Sequence, residues 1–558
     1  MSRTLDSASR AQTIEQLQTD RFDLIVIGGG ITGAGIALDA ASRGLSVALV
    51  EMRDFASGTS SKSTKLIHGG LRYLKQFEIK LVRETGRERA IVHKLAPHLV
   101  VAEKMLLPLL KDGTYGKIGT SFGLMVYDFL ADVEEEDKRK MLSREQTLEK
   151  EPLLRREGLT GSGYYAEYRT DDSRLTIENI KKAAEYGTVS MNYLKAVGFL
   201  EENGRINGIT VEDMLDGGTF DIRGQYTVAA AGPWVDDLRK VNRSFEGENK
   251  RLFLSKGVHI VVPRERLPVN QSVYFDVPDG RMMFAIPRNR VTYIGTTDTP
   301  YNGDLEKIPI YLEDVNYILE GANAMFPTAN LTVEDVESSW AGLRPLIYEE
   351  GKSASEMSRK DEIFEAKNGL IAIAGGKLTG YRKMADRIVD LVGKRVKTEG
   401  QASIGNDKTS RIPLTPDPFT SVKEVDTYRG LVAARIRALN LPQAYINYLV
   451  HNYGKQVDSI LDTAEGMEGS PEENIARAEL KHCLDHELTF TALDFYNRRT
   501  GRLYFFIDSI DPTLEVVLGD MAAFHQWPAE RVEKERQSIR AEIERLSRFE
   551  PMPADAQV

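Results

Sequence analysis

The sequence predicts an α/β fold assembled from separated segments, carrying a β-rich domain within it and a helical domain at its C-terminal end. Three observations carry that prediction. A strand, glycine turn, helix and second strand stand in order across residues 22–51. Four β-rich runs crowd between Leu252 and Asp298. Beyond about residue 395 a polar connector gives way to helical periodicity.

Taken in order, the first strand reads as Leu24 to Ile27, an unbroken apolar run of the kind a buried parallel strand requires. The glycine turn Gly28-x-Gly30-x-x-Gly33 follows, then a helical pattern through Ile36, Ala37, Ala40 and Ala41, then a strand from Ser46 to Glu51. Residues from Asp54 to His68 are Ser/Thr-rich and irregular, and Glu78 to Leu95 read as a charged amphipathic helix. The run Leu99 to Leu110 is interrupted by Glu103 and Lys104, which excludes it as a membrane span. Asn203-Gly204 marks a hairpin turn, and Gln225 to Leu238 a strand, turn and helix start. FLSKGVHIVVP, SVYFDV, RMMFAIP and RVTYIGTTD imply an antiparallel sheet. Gly369 to Val392 repeat the order strand, glycine turn, helix.

Composition narrows the function. At 558 residues the chain is too long for one hydrophobic core. Its net charge of -10 argues against a general nucleic-acid binder, although a few Arg and Lys focused in a cleft can still hold a small anion. A single cysteine, Cys483, precludes an internal disulfide and fits a reducing compartment. With no signal-like or spanning apolar run, the expectation is a cytoplasmic protein.

The glycine turn has a specific physical reading. Gly28 permits the tight turn, Gly30 lets a pyrophosphate approach the backbone, and Gly33 lets the helix pack closely on the strand. The helix N-terminus offers N–H groups and a positive dipole end to the phosphates. Glu51, about 20 residues on, is placed to hydrogen-bond an adenosine ribose, which favours FAD or NAD over a 2′-phosphorylated nucleotide.

The choice between FAD and NAD comes from resemblance. A second glycine turn, Gly375-Gly376-Lys377-Leu378-Thr379, stands near the far end of the α/β region, and two such turns resemble the glutathione-reductase-type FAD fold. SSKSTKLIHGGLRYL, SKGVHIVVP, IGTTDTPYNGD, AGLRPL and GGKLTGYRKMA further resemble the FAD-dependent, quinone-linked glycerol-3-phosphate dehydrogenase family, in that family's order from about Phe22 to Asp390. The resemblance implies a discontinuous FAD-binding Rossmann-like domain (20–100, 161–250 and 346–395), a β-rich substrate-binding domain (101–160 and 251–345) and a helical C-terminal domain (396–550). The implied FAD contacts are Gly28, Gly30, Gly33, Glu51, Ser60, Ser61, His68, Gly69, Gly232, Gly375, Gly376, Leu378 and Thr379.

Oxidising a secondary alcohol with a flavin moves a hydride to N5 while a base takes the hydroxyl proton, and a phosphorylated substrate adds a dianion to be held. Guanidinium forks suit that dianion. Any single Arg or Lys is by default a surface charge, but Arg344 and Lys377 lie in apolar, glycine-flanked turns, as does Arg72 beside Tyr73. By resemblance Arg72, Tyr73, Arg344, Arg359 and Lys377 form the substrate cluster, and His259 is the proton acceptor with Arg344 as catalytic partner. A histidine in an apolar strand is ordinarily a satisfied core residue, so His259 rests on its Lys-Gly turn and on the resemblance.

The expected reaction is glycerol 3-phosphate to dihydroxyacetone phosphate, with a quinone receiving the electrons. An oxidase releasing hydrogen peroxide, a non-turnover flavin scaffold and an amino-acid oxidase are the rivals. A homodimer and peripheral attachment at the inner face of a membrane are compatible with the resemblance, and the basic-aromatic run Arg498 to Phe506 is a candidate lipid contact. No metal is expected: His482 and His486 share a helix face, but no further ligands accompany them.

Overall fold

The computed structural model describes residues 4–67, 79–111, 113, 139–242, 251–348, 360–400 and 402–554. Two sheets organise the α/β part. Among the described residues the first has eight strands, with the central order Asp361–Glu365, Ile371–Gly375, Thr219–Ala229, Arg21–Ile27, Val47–Val50, Val189–Met191. Arg21–Ile27 pairs in parallel with Val47–Val50 on one side and Thr219–Ala229 on the other. All four residues of Val47–Val50 are buried, as a strand covered on both faces demands. The chain leaves Arg21–Ile27 toward one neighbour and returns much later on the opposite side. This reversal opens a crevice beyond the carboxyl end of that strand. The hairpin Leu194–Glu202 and Arg205–Asp213 turns at Asn203-Gly204, both at positive φ (52° and 74°), and pairs onto Thr219–Ala229.

Among the described residues the second sheet has ten strands, built around Leu252–Pro263. That strand pairs antiparallel with Val291–Gly295 and with Ser338–Ile347. Its side chains alternate: Val258, Ile260 and Val262 enter a core with Val315, Ile318 and Ala322 of the helix Leu312–Met325, while Val261 enters the opposite core with Trp340. His259 therefore faces the side of Trp340, away from the covering helix. The interrupted run near Glu103 is a strand, Val101–Leu110, paired in this sheet with Leu159–Arg169.

The C-terminal region is helical, with a core of its own around Tyr428, Tyr445, Leu449, Tyr453 and Leu461. The helix Pro471–His486 begins with a capping box, Ser470 and Glu473 bonding reciprocally, and with proline at its first position. Buried ion pairs fasten this region to the rest. Arg174, braced by Glu178 of its own helix at 2.6 Å, reaches Glu487 at 2.7 Å, and Arg499 grips Asp54 through two contacts of 2.8 Å.

These pairs correct the expectation for Arg498 to Phe506. Arg498, Arg499 and Arg502 are buried against Asp54, Asp494 and Glu479, and Tyr504 and Phe505 pack around Trp340. Their counter-charges lie within the protein, so the run is an internal joint and not a lipid-facing patch. Among the described residues no helix is long and apolar enough to cross a membrane.

Candidate active site

A cavity of about 950 Å³ runs from the glycine turn of the first sheet to the His259 face of the second. Its first wall is the sequence-predicted turn. Gly28 has φ +113°, and a Cβ there would lie 2.5 Å from the Ala230 carbonyl oxygen. A Cβ on Gly33 would come within 1.8 Å of the Gly28 oxygen, so the helix Ile31–Ser42 can sit this close to its strand only with glycine. Gly30 lines the cavity, where a Cβ would meet the Ser60 Oγ at 3.2 Å.

Glu51 also lines the cavity. Its carboxylate accepts hydrogen bonds from the Gly29 N–H at 2.7 Å and the Arg53 N–H at 3.0 Å, leaving further lone pairs for hydroxyl donors. Burial pushes this carboxyl up, against the lowering effect of those two backbone donors. Ser60 does something the sequence did not disclose: its Oγ accepts the Ile31 N–H at 3.0 Å and occupies one donor of the helix N-terminus. Its own hydroxyl hydrogen remains for a ligand. Ser61 does not line the cavity; it is buried, its Oγ donates to the Gly58 carbonyl, and its own carbonyl accepts from Lys65 Nζ.

Gly232, Gly375, Gly376, Lys377, Leu378 and Thr379 all line the same cavity. Gly375 and Gly376 have φ of +77° and +80°, turning the strand Ile371–Gly375 into the helix Tyr381–Thr398. A long cavity, side-chain-free backbone at Gly28 and Gly30, a helix N-terminus and an acid at the strand end together match the shape and donor set of FAD.

At the other wall the His259 ring is 1% exposed and stacks on Trp340 at 4.8 Å. Its Nε2 lies 3.0 Å from Thr64 Oγ1, and its Nδ1 has no partner. Burial pushes the imidazole pKa down, and the charges of Arg344 and Lys65 push the same way, so the ring is neutral well below the usual histidine range. Lys65 is itself buried in an ion pair with Asp172 at 2.5 Å. Arg344 is oriented by Asp298 Oδ1 and Thr296 Oγ1, both at 3.2 Å, and by the Thr297 carbonyl at 3.4 Å.

Of the sequence-predicted residues, His68, Gly69, Arg72, Tyr73 and Arg359 lie outside the described residues. Thr64, Lys62, Trp234 and Asp298 are cavity residues that sequence reasoning did not select. Thr64 and Lys62 belong to the SSKSTK motif and Asp298 to GTTD, so the signal was present in the quoted blocks. Lys62 stands out electrostatically: burial and then the Arg545 charge bring its ammonium down to about 8.

Comparison with known proteins agrees with this geometry. A model of the FAD dependent oxidoreductase family matches residues 23–382, and one for the C-terminal domain of alpha-glycerophosphate oxidase matches residues 420–532. The aerobic glycerol-3-phosphate dehydrogenase of Bacillus subtilis is 47% identical, over 97% of this chain and 98% of that protein. This chain belongs to the FAD-dependent glycerol-3-phosphate dehydrogenase family. A relative of the same name from Staphylococcus aureus is 45% identical over 99% of both chains. The crystal structure of the glycerol-3-phosphate dehydrogenase from Bacillus halodurans, complexed with FAD, superposes with a TM-score of 0.83 at 41% identity, covering 98% of this chain and 99% of the other. FAD is the cofactor, and the chain is an FAD-dependent oxidoreductase.

Proposed function

We propose that this enzyme oxidises sn-glycerol 3-phosphate at its secondary alcohol to dihydroxyacetone phosphate. The observation that carries the reading is the meeting, in one cavity, of the dinucleotide cradle with a neutral buried histidine and the cations Arg344 and Lys377. The full-length similarity to aerobic glycerol-3-phosphate dehydrogenases supports it. FAD, when bound, supplies the acceptor for the hydride released at the substrate carbon.

The protein's own residues hold the substrate and handle its proton. Arg344, with its fork aimed by Asp298 and Thr296, and Lys377 hold the phosphate or the hydroxyls; Arg72, Tyr73 and Arg359 complete the set by resemblance. Thr64 holds the imidazole in place through the 3.0 Å contact between its Oγ1 and Nε2, and His259 takes the hydroxyl proton. Gly28, Gly30, Gly33, Glu51, Ser60, Gly232, Gly375, Gly376, Leu378 and Thr379 hold the cofactor, with Ser61, His68 and Gly69 as their neighbours in the same motifs.

We further propose a quinone as the electron acceptor, with the enzyme a homodimer attached peripherally to the inner face of a membrane. Anaerobic addition of glycerol 3-phosphate should bleach the flavin absorbance, while unphosphorylated glycerol at the same concentration should not. A flavin left oxidised by glycerol 3-phosphate would overturn the substrate assignment. Oxygen consumption with peroxide release, fast without an added quinone, would overturn the acceptor.

A further inference from the structure

The His259 ring is held between its two cross-strand neighbours. Gly295 is its partner on the strand Val291–Gly295, and a Cβ there would meet the ring Cδ2 at 2.4 Å, so the glycine leaves room for the imidazole. Trp340 is its partner on the strand Ser338–Ile347, and the two rings stack with centroids 4.8 Å apart and planes 12° from parallel.

Trp340 also reaches the edge of the imidazole. Its Nε1–H donates to the Ser63 carbonyl at 3.1 Å, and the next residue is Thr64, whose Oγ1 touches the ring nitrogen. Two further bonds fix that segment: Asp172 accepts the Ser63 hydroxyl at 2.7 Å, and the Tyr293 hydroxyl donates to the Thr64 carbonyl at 3.2 Å. Trp340 is 1% exposed and is backed by Tyr504 and Phe505 of the C-terminal region, at 5.1 and 5.7 Å between centroids. Lys65 Nζ lies 5.5 Å from the Trp340 centroid and 5.4 Å from that of Tyr504, which ties the Thr64 segment to the same aromatic group.

Packing alone would be met by any large apolar side chain at position 340. It does not account for a near-parallel ring and a hydrogen bond that both end on groups holding the imidazole. A base transfers a proton efficiently only when its nitrogen is aimed at it, so a ring free to swing loses rate even with its chemistry intact.

We propose that Trp340 is a positioning residue for the proton transfer, holding the His259 ring by its face and, through Ser63, the threonine at its edge, with Tyr504 and Phe505 backing it. The helical C-terminal region thereby takes part in setting the base. This rests on the reading of His259 as the proton acceptor.

The test uses the FAD-loaded full chain and the anaerobic rate of flavin reduction by glycerol 3-phosphate, followed against pH. Trp340→Met should lower that rate by about 10–100-fold, as a misplaced base does. It should also move the acid limb to higher pH, because a loosened ring admits water and the burial that depresses it weakens. The charges acting on the ring, Arg344 from the strand of Trp340 and Lys65 from the Thr64 segment, are untouched by this change, as is the buried Tyr293 phenol on the neighbouring strand. Trp340→Phe, which keeps an aromatic face, should recover much of the rate and return the limb. A fall in rate with an unmoved limb marks a merely structural tryptophan and overturns the proposal, as does an unchanged rate. His259→Asn separates this from the underlying reading. A limb that survives in His259→Asn overturns the base itself; one that vanishes there but is unmoved in Trp340→Met overturns only the role of Trp340. Should Trp340→Met fail to hold FAD, Tyr504→Leu decides, since it loosens Trp340 from behind: it must slow reduction and move the limb the same way, and natural behaviour overturns the proposal.

Discussion

The substitution Asp54→Asn tests the joint between the cofactor domain and the C-terminal region. Asp54 is 1% exposed and accepts from Arg499 Nη1 and Nη2, both at 2.8 Å, from Arg498 Nε, and from Asn192 Nδ2 at 2.9 Å. Asparagine keeps the shape, removes the charge, and turns an N–H toward guanidinium N–H groups. Arg499, 0% exposed, would keep the Glu487 and Leu488 carbonyls, the Glu487 carboxylate at 3.8 Å and at most the one amide oxygen of the new side chain. Breaking one side of a buried ion pair costs about 3–5 kcal/mol, which for a chain of 558 residues is a fall of roughly 3–4 °C in Tm. Asp54 lies between Glu51 and the cavity-lining stretch Ser57 to Ser60, so the substitution should also weaken FAD binding. Differential scanning fluorimetry reading both protein and released flavin measures the two effects together. The double variant Asp54→Asn with Arg499→Met should be less destabilised than the sum of the singles, since each leaves the other's partner stranded. A Tm fall below 1 °C, or strict additivity, would refute the reasoning.

Other outcomes follow from the same structure. His259→Asn should retain the flavin spectrum and lose about 10²–10⁴-fold in kcat; unchanged turnover would remove His259 from the chemistry. In Arg344→Met the acid limb of kcat/KM should move to higher pH, because burial still depresses the His259 pKa but one cationic neighbour is gone. An unmoved limb would mean that another group titrates. Gly33→Ala should be isolated without FAD, since its Cβ would lie 1.8 Å from the Gly28 oxygen; a yellow, stable variant would contradict that packing. Burial alone would push the Asp54 carboxyl up, but Arg499 and Arg498 hold it below the usual carboxylate range. A depressed folded pKa gives stability that is full above the unfolded value and is lost as pH falls through the folded one. Asp54 therefore contributes undiminished at pH 5–8 and fades only below about 4, which Tm against pH would reveal through its absence in Asp54→Asn.

The parts of this protein that were legible in sequence are those whose physics is local. The first strand, its glycine turn, the helix and Glu51 fall within one stretch of chain, and each glycine has a steric reason that any such unit shares. His259 was legible as a candidate, and strand alternation put it opposite the face carrying Val258 and Ile260. What local pattern could not decide depended on distant partners. Arg498 to Phe506 looks like a basic-aromatic surface because nothing nearby in sequence declares Asp54, its partner 444 positions away. Ser60 was selected as an FAD contact, yet it also accepts from the first N–H of a helix that starts 29 residues earlier. Periodicity reports which face a side chain takes; it is silent on what waits there.

The electrostatics around His259 carry a consequence for how substrate and base cooperate. A base with a pKa far below the working pH is a poor proton acceptor, since proton-transfer efficiency is greatest when the two are close. Burial, Arg344 and Lys65 put His259 in that weak condition. Were Arg344 to hold the phosphate dianion, its negative charge would offset the cation that depresses the ring and raise the ring's basicity with the substrate in place. In that arrangement the phosphate would do more than anchor: its binding energy would be converted into a stronger base at the reacting hydroxyl. Glycerol lacks that charge, and for this reason its deficit should fall on kcat as well as on KM, whereas a merely anchoring phosphate would leave kcat at saturation unchanged.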